Sequence, residues 1–378
     1  MTNSEIREIR KRIDEGLSNF KTVYGCFVNA AGEIVSEMEI PVLDMDSEER
    51  EMYSKLLKKV VSGPAGRHLL DVNFSTKQVE LSDEHRLLMG LRDKHLEDAG
   101  LRSALYDQII GNFENDGKSY VILLAADTYD IKSRDDDEDE WSEESESQFE
   151  YFICAVCGVR DPKAALRYQA KPKAFRGSST GSILTSPMVG FMFPSFTDRQ
   201  ADIYIAPYYT KKTDDIHEEL IAGLFRVEDV PSAASTQKEK LGDALYTALG
   251  SDCNLDIMTS LQARLSEQVV DEDGSAAGDI PFSEIEKVLS DKGIPEDKLN
   301  AFREKIDAYF PGKDSISAST IIEKKKYKLT SSAAEITVDP QQAVRLKTKK
   351  IDGITYFLVP VGSDARVNGL DICTETND

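Results

Sequence analysis

The sequence predicts an α+β protein: a mixed sheet with flanking helices, followed by a helical section and a small β-rich C-terminal domain. Three observations predict it. First, "SYVILLAADTYDI" (119–131) and "FEYFICAVCGV" (149–159) are apolar on both faces, as central strands covered on two sides must be. Second, apolar residues recur at helical steps of three and four both before and after these runs. Third, the charge balance changes along the chain. The whole carries a net charge of -22, yet from Ser315 to Asp378 nine basic residues stand against eight acidic ones. The boundaries that follow are 1–230 for an α+β domain with an acidic loop at 131–148, 231–312 for the helical section, and 313–378 for the β-rich domain.

The elements follow in order. Ser4 is placed to cap a first helix whose inner side carries Ile6, Ile9, Ile13 and Leu17. "VYGCFVNAAGEIVSEMEI" reads as a β-hairpin around the short loop Asn29 to Gly32. Residues 47–62 read as a helix with Met52, Leu56, Leu57, Val60 and Val61 inside, broken by "GPAG". "HLLDVNF" is a strand. Ser82 caps a helix carrying Leu87, Leu88 and Leu91, and another helix covers about 97–111. Between the two central strands, residues 135–146 hold nine acidic residues in twelve, which suits a solvated hairpin loop and no core. In "FMFPSFTDRQADIYIAPYYTKK" (191–212) the alternation of Val189, Phe191 and Phe193, and of Ile203 and Ile205, makes most of the aromatics core. Pro194 and Pro207 mark strand ends or edges. Further on, Thr236 with Glu239 and Ser283 with Glu286 match the capping-box pattern at helix starts. In the tail, Asp352-Gly353 signals a tight hairpin.

Composition bounds the function. Five cysteines at irregular spacing are not a secreted disulfide framework. "MTNSEIREIRKRIDEGL" has no apolar stretch of the signal-peptide kind, and no run is long enough to span a membrane. The expectation is a cytoplasmic protein without a membrane partner. The acidic body is unsuited to coating nucleic acid. "KKKYK" (324–328) and "RLKTKK" (345–350), with Tyr327 and Tyr356 nearby, leave an anionic partner, nucleic acid included, open for the tail. The bland alternative for these lysines is defence of strand edges.

Several blocks together resemble one bacterial family, domain of unknown function 4317. They are "YGCFVNAAGEIVSE", "LLDVNFSTKQVE" with "EHRLLMGLRD", "YVILLAADTYDI", "YFICAVCGVRDP" and "GFMFPSFTDRQADIYIAPYYT". The resemblance runs nearly end to end. It implies a soluble, full-length bacterial protein, and it brings no catalytic or binding residue with it.

No complete catalytic or cofactor motif is present. Cys154-Ala-Val-Cys157 lies inside a strand pattern, with no second pair to complete a zinc site and no helix start to activate a thiol. "DGSAAGDIPFSE" (273–284) partly fits a calcium loop and fails at Ala277, which offers no side-chain oxygen. "GSSTGS" (177–182) lacks the lysine of a phosphate loop. The basic run Arg160, Lys163, Arg167, Lys171, Lys173 and Arg176 suits a phosphate or the chain's own acidic loop, and more plainly a solvated face that balances local charge. His217 in "DDIHEEL" lacks the second histidine of a zinc-protease helix.

Six residues are left as candidates: Asp127, Asp130, Asp198, Arg199, Asp202 and His217. Carboxylates at the end of a central strand suit a metal or acid–base position, and equally a turn. Two functions follow. The first is a non-catalytic cytoplasmic interaction protein with a protein partner, using no cofactor and no metal. The alternative is a metal-dependent hydrolase of a phosphate-containing substrate. There Asp127 and Asp130 hold the metal, Asp198, Asp202 and His217 are further ligands or bases, and Arg199 neutralises phosphate charge.

Overall fold

A computed structural model describes residues 1–15, 17–134, 141–160, 165–169, 173–178, 181–268, 278–322, 326–361, 365–367 and 369–371. For 132–134, 141–146, 165–169, 175–178, 267–268, 340, 341 and 344 it gives the backbone alone. The centre of the acidic run, the first part of the calcium-loop pattern, much of the basic run, Lys324, Lys325 and Cys373 lie outside the described residues. The chain forms two compact units, Met1–Thr236 and Gln237–Asp378.

The first unit contains helices α1 (Asn3–Asp14), α2 (Ser47–Val60), α3 (Thr76–Leu81), α4 (Asp83–Asp93), α5 (Ala99–Asn112) and α6 (Glu218–Phe225). Its strands are β1 (Thr22–Val28), β2 (Ile34–Pro41), β3 (Leu69–Asn73), β4 (Tyr120–Arg134), β5 (Trp141–Arg160), β6 (Ala165–Gln169), β7 (Ala174–Ser178), β8 (Ile183–Phe193), β9 (Ser195–Thr197), β10 (Gln200–Asp202) and β11 (Ile205–Thr210). Seven of them form one sheet in the order β2-β1-β4-β5-β8-β11-β3, and each neighbouring pair is antiparallel.

The α+β class is the one the sequence predicts, and the two-faced apolar runs are the reason. Along β4, Tyr120, Ile122 and Leu124 enter the core packed with α4, α5 and α6. Val121, Leu123 and Ala125 enter the opposite core, which α1 and α2 cover. Period-two alternation thus feeds two cores from one strand. Gly190 on β8 lets α2 approach closely. A Cβ there would stand 2.5 Å from the Cys154 carbonyl oxygen and 2.8 Å from a Val60 methyl.

Local expectations are corrected in four places. α1 is capped by Thr2, in a reciprocal box with Glu5, so Ser4 lies inside the helix. Met52 is 52% exposed, and the inner stripe of α2 runs through Ser54, Leu57 and Val60. α7 (Ala234–Leu249) starts at the end of the first unit, and the second unit holds the rest of it with α8 (Leu255–Gln268), α9 (Phe282–Asp291), α10 (Glu296–Tyr309) and α11 (Ala318–Ile321). Thr236 lies within the first turn of α7 rather than before it. Ser283 lies inside α9, whose cap is Pro281, and Glu286 pairs instead with Arg303 of α10 (Arg303 Nε to Glu286 Oε2, 2.9 Å). Ser82 does cap α4, accepting from the His85 amide at 3.1 Å.

α7 to α10 share one core around Leu245, Leu261, Ile285 and Phe302. Among the described residues, the second unit's strands form two-stranded antiparallel pairs: β12 (Asp279–Pro281) with β13 (Ser315–Ser317), which α9 and α10 separate in sequence, and the hairpins β14 (Tyr327–Thr330) with β15 (Glu335–Val338), β16 (Lys347–Ile351) with β17 (Ile354–Leu358), and β18 (Arg366–Val367) with β19 (Leu370–Asp371). Among the described residues, no helix is long and apolar enough to cross a membrane.

Candidate functional site

The charged residues of α1 are spaced three and four apart. Glu5, Glu8 and Arg12 therefore form a stripe beside the buried Ile6, Ile9 and Ile13. That stripe is carried onto the sheet face where β4 ends, and Arg12 meets Asp127. The guanidinium binds the carboxylate through both Nε and Nη2 (Nη2 to Oδ1, 2.8 Å) and also donates to the Thr128 carbonyl at 2.8 Å. The buried Tyr151 hydroxyl donates to Asp127 Oδ2 at 3.0 Å. Burial is the largest single influence and disfavours the Arg12 charge, but the bond to Asp127 and the attraction of Asp127, Tyr151 and Glu15 together outweigh it, and the guanidinium pKa is raised. Burial, then the Asp127 charge, pushes the Tyr151 phenol well above its ordinary value.

The same stripe reaches Arg199. Glu8 accepts from the Tyr129 hydroxyl at 2.6 Å and from Arg199 Nη2 at 3.1 Å. The Arg199 amide donates to Glu5 at 3.3 Å. Arg12 also lies over the Tyr129 ring, 4.8 Å from its centre. Burial, then the bond to Glu8, moves the Tyr129 phenol up to about 12. Asp198 and Arg199 form the turn of the β9–β10 hairpin with φ of 51° and 54°. Such a turn needs two left-handed residues, which suits Gly or Asn better than Arg. Glu5 and Glu8 hold Arg199 in it.

The structure thus brings Asp127 and Arg199 into one network, through Arg12, Tyr129 and Glu8. Asp198 stands beside Arg199 in the β9–β10 turn, and Asp130, Asp202 and His217 have their partners elsewhere. Asp130 accepts from its exposed cross-strand partner Gln148 at 3.0 Å. Asp202 closes a local turn by accepting from the Tyr204 amide at 3.0 Å. His217 stands on the other side of the sheet. It precedes α6 with φ 56°, and its ring packs 5.0 Å from Phe113, a residue of the α4–α6 core. Burial lowers its pKa, opposed in part by Asp215. Among the described residues, no three His, Cys, Asp or Glu side chains are grouped to hold a metal ion. Cys154 and Cys157 point into opposite cores, so the CxxC spacing does not bring the thiols together.

A different kind of surface lies on the β16–β17 hairpin. Asp352 and Gly353 turn it with φ of 49° and 85°. All ten strand residues are exposed, although the sequence is rich in apolar groups. Lys347 faces Leu358, Lys349 faces Tyr356, and Ile351 faces Ile354, which puts these six on one face of the ribbon. Thr348 with Phe357, and Lys350 with Thr355, occupy the other. Ile354 is 58% exposed and the following Val361 is 68% exposed.

The family model described as a domain of unknown function (DUF4317) matches residues 1–370. The chain belongs to this family. A comparison with curated proteins gave no match. In this DUF4317 member, reading the sequence found Asp127 and Arg199 but missed Glu5, Glu8, Arg12, Tyr129 and Tyr151. The available signal was the three-four spacing of the α1 charges next to its isoleucine stripe. Of the exposed hairpin, the turn, the lysines and Tyr356 are legible in the sequence, whereas Ile354, Phe357 and Leu358 carry no signal of a surface role.

Proposed function

We propose that the chain is a non-catalytic cytoplasmic interaction protein that docks a protein partner through the β16–β17 hairpin. The observation that carries the proposal is the ribbon's exposure on both faces. A lone two-stranded hairpin is at best marginal in water, and contiguous exposed apolar surface marks contact sites. Lys347, Lys349 and Lys350 beside Tyr356, Phe357 and Leu358 suit a protein surface with an apolar strip edged by carboxylates. The hydrolase alternative needs Asp127, Asp198, Asp202 and His217 to converge. Asp127 is instead neutralised by Arg12, and His217 packs on the opposite side of the sheet.

The test places a photo-crosslinking residue at Tyr356 in the full chain, expressed in its own cytoplasm. The expected result is one stoichiometric crosslinked partner, lost in the Ile354→Asp/Phe357→Asp variant while far-UV circular dichroism is unchanged. No crosslinked species, a species indifferent to the variant, or crosslinking only to a second copy of the chain refutes the proposal.

A further inference from the structure

Independently of the docking hairpin, we propose that the outer edge of β2 takes up an extended segment of a partner protein as an eighth strand, one whose residues alternate basic and apolar. The seven-stranded sheet treats its two edges differently. At one end β3 is closed off. Leu69, Leu70 and Val72 are buried, Ala65 bridges to Leu69, and the Gly66 amide donates to the Leu69 carbonyl at 2.8 Å. At the other end β2 pairs with β1 alone among the described residues, and six of its eight residues are exposed. An open edge carries a row of unpaired amides and carbonyls. Register with β1 is regular over 36–41, so the bulge at Val35 and the proline at Pro41 stand only at the ends. Between them the edge has no lysine and no bulge to guard it.

The side chains decide which segment fits. Glu37 and Glu39 lie opposite Cys26 and Tyr24, on the face that α4, α5 and α6 cover. Met38 and Ile40 lie on the other face and pack against the α1–α2 core. Arg102 of α5 holds Glu39, whereas Glu37 is exposed and pairs with no cation among the described residues. An added strand therefore sets basic side chains beside the glutamates and apolar ones beside Met38 and Ile40. The same glutamates turn away a second copy of the chain. Antiparallel pairing of β2 with itself about a two-fold axis keeps each face on its own side, so Glu37 and Glu39 would stand opposite their own counterparts. Like charges directly opposite destabilise a strand pair. The net charge of -22 adds to that repulsion and draws a basic segment instead.

Fluorescence anisotropy with the full chain tests this at about 0.15 M salt, where distant charges are screened. The probe is the labelled, end-blocked peptide Lys-Val-Lys-Val-Lys-Val-Lys. The expected result is one-to-one saturable binding, and none by a peptide of the same composition with its lysines and valines in blocks. N-methylation of the valines and N-methylation of the lysines block opposite edges of the bound peptide, so one set removes binding and the other leaves it. Glu37→Lys loses an exposed ion pair and gains a like-charge contact, which weakens binding about threefold to tenfold with the circular dichroism spectrum retained. The peptide with Glu in place of Lys binds that variant more tightly than it binds the parent. The proposal is overturned if the alternating peptide does not saturate or binds no better than the block peptide. It is equally overturned if the two N-methylated peptides behave alike, if Glu37→Lys leaves the affinity unchanged, or if sedimentation shows a dimer of the chain that Glu37→Lys alters.

Discussion

Cutting the Arg12–Asp127 pair from either side should have unequal costs, because the two partners are unequally buried. The Asp127 side chain is 1% exposed and the Arg12 side chain 19%. Arg12→Ala leaves a carboxylate almost wholly out of water, with only the Tyr151 hydroxyl to answer it. Removing one partner of a buried pair costs about 3–5 kcal/mol. Asp127→Ala leaves a guanidinium that can turn toward solvent, plus a buried Tyr151 hydroxyl without its acceptor, which costs about 1–3 kcal/mol. For a unit of this size each kcal/mol shifts the melting temperature by roughly 2–4 °C, so Arg12→Ala should lower it by about 6–20 °C. The double variant Arg12→Ala/Asp127→Ala should cost less than the two single changes added together, since no charge is then stranded. Urea denaturation followed by near-UV circular dichroism of the tyrosines measures all four corners. If Asp127→Ala is as stable as the parent, or costs more than Arg12→Ala, the structural-clamp argument is wrong and a functional carboxylate regains ground.

Other outcomes follow from the same physics. Gly190→Ala should destabilise the first unit by about 1–3 kcal/mol, the range for overpacking a tight core, because its Cβ would meet the Cys154 carbonyl and Val60; unchanged urea midpoints would contradict this. In the native protein, Cys26, Cys154 and Cys157 should resist iodoacetamide at pH 8, and peptide mapping should find them labelled only after urea. Burial pushes Cys26 up to about 11 and Cys157 up to about 12, and all three side chains are fully buried. His85 and His217 have their pKa values lowered, chiefly by burial. The stability that depends on their neutral forms is therefore fully present above the unfolded value of about 6.5 and is lost as pH falls through the lower folded values. A urea midpoint that rises between pH 7 and pH 5.5 in the parent, relative to a His85→Gln/His217→Gln variant, would reverse that sign.

What could be read locally from the sequence was decided by local rules. The β1–β2 turn at Gly32, with φ 79°, and the Asp352-Gly353 turn are set by which residues tolerate a left-handed backbone. β4 and β5 were legible because two-faced apolarity over more than ten residues leaves few other solutions. The capping boxes show where such rules weaken. Ser-x-x-Glu at 283–286 matches a helix start, yet the same spacing is found inside helices, where Glu286 has a better partner in Arg303. Pro207 reads as a strand end but lies within β11, just before the residues that pair with β8.

The candidate site depends on a contact that no local rule carries. A carboxylate ending a central strand is the same object in sequence whether it binds a metal, caps a turn or anchors a helix. What decides among these for Asp127 is a residue 115 positions away. α1 packs through Ile6, Ile9 and Ile13, and that packing fixes the rotation of the helix about its axis. Once the rotation is fixed, Arg12 falls on Asp127 and Glu8 falls on Arg199. The hydrophobic stripe therefore determines the electrostatic one. Moving the isoleucine stripe by one residue would turn Arg12 about 100° around the helix, leave Asp127 uncompensated, and expose the strand-end carboxylate that the sequence alone suggests.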